Sequence, residues 1–274
     1  STLDRSSAAS DVYKRQLEFL QQYPELIEKR DDLVLEEITL LNQVGKYIQA
    51  KRKLDAHIFH PWEGGEGKVP AQYQICRVEL AKQNIAEGKY KCAVGLLEQC
   101  LTYPHHLGEG KLYGAQENDF YYLLGVAYDA LGYTDEAKEC WKKAVLGPQE
   151  PAAAMYYNDA KPDKIFYQGM ALRKLGREDE AHGRFYRLIN YGKQHVFEHQ
   201  TMDYFAVSLP DLLIWDDSLD TKNVIHCKYM LALGYCGMGD MKHALKYLAE
   251  VEALDNNHQG AQQLRSLIDL KLLS

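Results

Sequence analysis

Five times along the chain a glycine is followed five residues later by an alanine, and four residues beyond that by a large apolar side chain. The triplets are Gly45, Ala50, Leu54; Gly88, Ala93, Leu97; Gly132, Ala137, Trp141; Gly176, Ala181, Phe185; and Gly239, Ala244, Leu248. Glycine enters the left-handed backbone region without a Cβ penalty, so a glycine between two helical patterns marks a corner. The clearest copy is Asn118 to Pro148. There Leu124, Tyr128 and Leu131 recur at helical spacing before Gly132, and Ala137, Trp141 and Ala144 recur at it afterwards. Small residues at Gly125 and Ala137 let two helices approach closely, while Tyr121, Tyr128 and Trp141 fill the space around them. One such pair cannot bury its apolar face alone, so the pattern demands neighbours.

Tyr121, Leu124, Gly125, Tyr128, Gly132, Ala137, Trp141 and Ala144 sit in the register of a tetratricopeptide repeat (TPR), and the segment resembles that family. The corner glycines are 43, 44, 44 and 63 residues apart, against a usual period of about 34. Long inter-repeat loops must hold the excess. The expected fold is all-α: a TPR-like α-solenoid of about five helix-turn-helix units with long loops, closed by a C-terminal capping helix from about His258.

The first two loops are themselves a repeat. His60-Pro-Trp-Glu-Gly-Gly-Glu-Gly-Lys68 and Tyr103-Pro-His-His-Leu-Gly-Glu-Gly-Lys111 align at an offset of 43. After the third corner only Pro148 survives, and the largest insertion runs from about Tyr191 to Asp220, where DYFAVSLPDLLIWDDSL fits either an extended piece or a helix. Together these loop sequences resemble the C-terminal repeat region of large bacterial proteins in which an uncharacterised β-rich domain precedes the repeats. The resemblance covers Leu17 to Ser274 and assigns no activity. It does imply that function residing in the β-rich domain lies outside this chain.

Residues 1–16 read differently. Asp11 to Gln16, DVYKRQ, corresponds to one reading frame of a common transposon-end sequencing adapter, which marks a metagenomic fragment with a non-native leader. Its removal is expected to leave stability unchanged, and residues 17–274 are expected to form the repeat domain.

A net charge of −7 argues against nucleic acid as the main partner, because neutralising phosphates needs a basic face. The sequence holds no run of 18 apolar residues of the kind that spans a membrane. Six cysteines without a CxxC pair read as reduced, packed thiols and point to the cytoplasm.

Three motifs invite chemistry. Gly-Glu-Gly-Lys lacks the spacing of a phosphate loop: the required glycine is replaced by Trp62 or His105, and the Ser or Thr after the lysine by Val69 or Leu112. Turn glycines between helices are the plainer reading. His195-Val-Phe-Glu-His199 matches a zinc-peptidase pattern but has no third ligand in an expected place, so no metal or cofactor is assigned. Asp216-Asp217 reads as caps or solvated charge. No catalytic residue is assigned.

Binding is the better reading. Trp62, Glu63, Glu66, Lys68, His105, His106, Glu109 and Lys111 form a polar and aromatic rim on the two loops. The first helix of each unit is expected to line a groove, which places Asn42, Lys82, Tyr122, Asp129, Phe166, Arg173, Lys174, His226 and Tyr229 there. The function expected is protein-interaction scaffolding: binding a partner, a peptide or the chain's own N-terminal domain. The competing expectation is an accessory region of a carbohydrate-active enzyme, its loops completing an active site on the missing domain.

Overall fold

The computed structural model describes residues 12–153, 161–199 and 219–273. Among the described residues every regular element is helical. Helix α1 covers 12–20. It is followed by α2 (Pro24–Ile27), α3 (Asp31–Gln43), α4 (Tyr47–Ala56), α5 (Lys68–Ala86) and α6 (Tyr90–Cys100). A 3-10 turn at His105–Leu107 precedes α7 (Asn118–Ala130), α8 (Thr134–Ala144), α9 (Pro162–Lys174), α10 (Glu178–His195), α11 (Leu219–Gly237), α12 (Met241–Leu254) and α13 (Gln259–Asp269). The expected all-α architecture of helix-turn-helix units is therefore present. No described helix is long and apolar enough to cross a membrane.

The five corner glycines adopt the backbone that the sequence demands of them. Gly45, Gly88, Gly132, Gly176 and Gly239 have φ of +77°, +74°, +83°, +74° and +79°. The amide after each glycine reaches back five residues: Lys46 to Leu41, Lys89 to Asn84, Tyr133 to Tyr128, Arg177 to Leu172 and Asp240 to Tyr235, at 2.7 to 2.9 Å. This six-to-one bond is the Schellman closure of a helix C-terminus, and it satisfies a carbonyl that the helix leaves without a partner.

The alanines five residues on are fully buried, and so are the plugs Leu54, Leu97, Phe185 and Leu248, with Trp141 at 5 % exposure. Plug size and the facing position on the first helix are matched within the chain. Where the plug is aromatic, seven residues before the corner stands glycine: a Cβ on Gly125 would lie 2.2 Å from Trp141 Nε1, and one on Gly169 would lie 2.4 Å from the Phe185 ring. Where the plug is leucine, the same position holds buried Ile38, Ala81 or Ala232. The bulkier aromatic plugs thus face glycine and the smaller leucine plugs face a larger residue, a compensation that close packing favours.

Among the described residues the chain divides into two compact units, one of residues 12–115 with 266–272, the other of residues 116–153, 161–199 and 219–265 with 273. In the first, α3 packs on α4 and α5, α4 on α5, and α5 on α6. Its core joins Tyr13 and Leu17 of α1 to Ile27, Ile38, Leu41, Leu54, Phe59, Tyr73 and Leu107. Helix α1 runs through the expected 16/17 boundary, and Tyr13, placed in the leader by sequence, is buried in the same core as Leu17. In the second unit, α7 packs on α8 and α9, α9 on α10 and α11, and α11 on α10 and α12. The final helix lies on this last pair: Gly260 abuts Tyr229 of α11, and Arg265 forms a two-pronged ion pair with Glu252 of α12 at 2.6 and 2.8 Å. The segment DYFAVSLPDLLIWDD, with Asp216 and Asp217, lies outside the described residues.

Candidate functional site

Loop 57–67 is tied down at both ends by side chains that sequence alone does not single out. Asp31, in the first turn of α3, takes a hydrogen bond from the His60 amide at 2.7 Å, and its two oxygens lie 2.7 Å from His57 Nε2 and 3.1 Å from His60 Nδ1. Burial pushes the Asp31 carboxyl up, but the hydrogen bonds from His57 and His60 outweigh it and hold the group below the usual carboxylate range. Phe59 is buried in the core and its amide donates to the His106 carbonyl at 2.8 Å. Loop 101–115 passes so close that a Cβ on Gly108 would lie 2.6 Å from the Phe59 oxygen.

The second tie uses the duplicated motif itself. Gly67, the N-cap of α5 with φ +73°, has no side chain to cap the helix. The Glu109 carboxylate supplies the cap from the other loop, accepting the Gly67 amide at 2.9 and 3.1 Å. A carboxylate there satisfies an amide that the helix leaves unpaired and faces the positive end of the helix dipole. Burial moves the Glu109 carboxyl up, opposed by the Gly67 amide and assisted by nearby Glu66. The Gly67 amide that a bound phosphate would need is thus already engaged by a carboxylate.

The two loops therefore meet along one edge of the first unit. Glu63, Glu66, Lys68, His105 and Lys111 are exposed on it, and Lys111 Nζ also donates to the Leu101 carbonyl at 2.9 Å. Trp62 and His106 are half-buried. The Trp62 ring covers Gly65, where a Cβ would lie 2.3 Å from it, and packs on the core. His106 stands edge-on to Tyr73, with Nε2 buried and without a hydrogen-bond partner.

The expected groove residues are placed otherwise. Asn42, Lys82, Tyr122, Phe166 and Tyr229 are buried, at 6 % exposure or less, and the expectation that they face a ligand is corrected. Each has an internal partner. Asn42 donates to Gln72, Lys82 pairs with buried Glu79 at 2.7 Å, and Tyr122 contacts Tyr167. Phe166 packs on Phe185, and Tyr229 lies between His258 and Gly260. The reason is that these first helices are covered on more than one face: successive residues are buried from Tyr122 to Gly125 on α7, from Ile165 to Leu172 on α9 and from Tyr229 to Gly234 on α11, and Asn42 and Lys82 lie among the buried residues of α3 and α5. Arg173 is partly exposed but committed: Nη2 donates to the Gly237 carbonyl at 2.8 Å and Nε to Glu178 at 2.9 Å. Lys174 reaches over the Trp141 ring, His226 Nε2 lies 2.8 Å from the Ala152 carbonyl, and Asp129 is exposed.

Sequence reasoning also missed Arg77. Its buried guanidinium lies 3.4 Å over the Tyr73 ring, donates to Gln99 at 3.0 Å and pairs with Asp55, fastening α4, α5 and α6 together. In the His-x-x-Glu-His segment, His195 pairs with Glu198 and His199 with Asp220. Among the described residues no group of three or more His, Cys, Asp or Glu side chains is arranged to hold a metal ion.

Residues 119–146 match the family model of the tetratricopeptide repeat. Among solved structures, the chain is similar to YrrB, described as a TPR protein with an unusual peptide-binding site, at 16 % identity and TM-score 0.32 over 90 % of this chain and 98 % of that one. It is similar to BtubC from P. vanneervenii at 12 % identity and TM-score 0.36, covering 93 % and 91 % of the two chains. A putative kinesin light chain from Podosopora anserina with TPR-like repeats shows 19 % identity and TM-score 0.29, covering 90 % and 95 %. With the corner, alanine and plug of the matched segment recurring in four other helix pairs, the chain carries a tetratricopeptide repeat at 119–146 within an all-α series of units of the same design.

Proposed function

We propose that this chain is a protein-interaction scaffold that docks a protein or peptide partner through the edge where its two duplicated loops meet. The observation that carries the reading is the Glu109 to Gly67 bond, which ties the second loop to the helix following the first. That bond, with the Phe59 to His106 bond, makes two surface loops one braced platform instead of two independent tethers. Loops held on rigid helices are where repeat proteins carry recognition groups. Exposed Glu63, Glu66, Lys68 and His105 give the platform mixed charge, which suits a polar protein surface, including that of a domain preceding the repeats in the same polypeptide.

The accessory-enzyme reading asks Trp62 to act as an aromatic platform for a sugar. Half-burial of that ring against Gly65 and the core favours the scaffold reading. The test is association, with turnover as its counterpart. The β-rich domain is supplied in trans to the wild-type chain and to a Glu66→Ala, His105→Ala variant, whose exposed side chains leave the core intact. Binding by the wild type, weakened by about 1–2 kcal/mol in the variant, is the expected result. Equal affinity of the two proteins would move the docking surface elsewhere, and glycoside turnover by the chain alone would replace the scaffold reading with an enzyme.

A further inference from the structure

Helix α13 starts with an unusual cap. His258 occupies the N-cap position, and its Nδ1 accepts the Ala261 amide at 3.0 Å, the task an Asn, Asp or Ser side chain ordinarily performs. An imidazole can accept there only when Nδ1 carries no proton, which means the neutral ring protonated on Nε2. The same ring packs on Tyr229 of α11 at 4.7 Å between centroids. Gly260 sits against the other part of that tyrosine, where a Cβ would lie 2.7 Å from the hydroxyl. The docking of the first turn of α13 on α11 and its capping therefore depend on one ring in one protonation state.

The charged surroundings come from three elements. Asp255, in the turn ahead of α13, and Asp163, at the start of α9, favour a charged His258; His226 of α11 opposes it. Buried Tyr229 contributes no charge, since burial holds its hydroxyl well above the ordinary value. Lys164, next to Asp163, is ion-paired to Asp119 at 2.5 Å and to Asp163 at 3.7 Å, so much of the local negative charge is already neutralised. Burial prevails, and His258 titrates below the ordinary histidine value.

We propose that His258 is a proton-operated catch for the C-terminal helix: neutral, it holds the first turn of α13 on Tyr229, and protonated, it releases that turn. On acidification a proton binds Nδ1, and the new N–H confronts the Ala261 N–H instead of accepting from it. The imidazolium also faces His226 of α11, whose charge opposes that of His258. Because the folded value lies below the unfolded one, the contribution of the catch is complete above the ordinary histidine value and is lost as pH falls from there through the folded value.

The experiment is amide hydrogen exchange on the full chain, corrected for intrinsic rates, between about pH 7.5 and about pH 5, across the range in which histidine titrates. Protection of Ala261 to Leu264 should fall about tenfold or more, while α7 and α8 hold theirs. In H258N, whose amide caps the helix without titrating, protection should not change with pH. The same loss in wild type and H258N would overturn the proposal. Nitrogen chemical shifts of His258 in the wild type give a reading that needs no variant: Nδ1 must be unprotonated at neutral pH, and a proton found there would also overturn it.

Discussion

The match between plug size and the facing glycine can be broken and restored in a single cycle. In Gly125→Ala the new methyl would lie 2.2 Å from Trp141 Nε1, so the indole must shift and its hydrogen bond to the Tyr122 carbonyl at 3.3 Å is lost. Overpacking costs about 1–3 kcal/mol and the lost bond about 1, offset by about 1 from the better helix propensity of alanine. The net destabilisation is about 1–3 kcal/mol. Trp141→Leu leaves a void under Gly125 and costs about 2–4 kcal/mol. The double variant recreates the alanine and leucine pairing that Ala81 and Leu97 already show, both fully buried. Its methyl occupies part of the void, so it should be more stable than the sum of the single effects by about 1–3 kcal/mol. Urea unfolding followed by circular dichroism measures all four proteins. Additivity within about 0.5 kcal/mol would show that the two positions do not compete for one space, and the volume argument would fall.

Three further expectations follow from single positions. Gly88→Ala meets nothing within 4 Å but must hold φ near +74°, so it should cost about 1–2 kcal/mol from backbone strain alone, read as a shift in the urea midpoint. Glu109→Gln keeps an oxygen to accept the Gly67 amide and should change stability by less than about 0.5 kcal/mol, whereas Glu109→Ala should cost about 1 kcal/mol by uncapping α5. Since burial raises the Glu109 carboxyl, the folded state binds its proton more readily than the unfolded one and gains stability as pH falls through that range; Glu109→Gln removes this offset and should make the acid limb of the stability profile slightly steeper than that of the wild type, read from urea midpoints at a series of pH values. Deleting residues 1–16 should cost about 1.5–3 kcal/mol through the loss of buried Tyr13, against the neutrality expected of a leader, and thermal unfolding of the two proteins decides between them.

Much of this fold was legible because its repeating instructions are local. A glycine at C′, an alanine and a plug specify a helix corner within a few residues, and all five corners have the backbone geometry read from their spacing. The joined loops were half-legible: their duplication was visible, but Glu109 capping Gly67 across 42 residues was not, since a carboxylate between two glycines carries no mark of its partner. Asp31 was missed for the same reason. The failure was at Asn42, Lys82, Tyr122, Phe166 and Tyr229. Their helical register put them on the face that a repeat ordinarily leaves open, and burial of that face depends on tertiary packing, which no local spacing encodes.

The corners also bear on how the protein acquires its structure in time. Each Schellman bond closes over five residues, and the aromatic plugs meet a first-helix position sixteen residues away, Trp141 at Gly125 and Phe185 at Gly169. Closing so short a stretch takes far less search than pairing distant strands, and proteins dominated by such contacts fold in microseconds to milliseconds. A hairpin can therefore form on the ribosome soon after its own residues emerge. The bond between Glu109 and Gly67 must wait for the whole second helix pair to be synthesised and turned. Until then α5 carries an unpaired amide at its start, and the edge formed by the two loops is complete only once Glu109 has arrived.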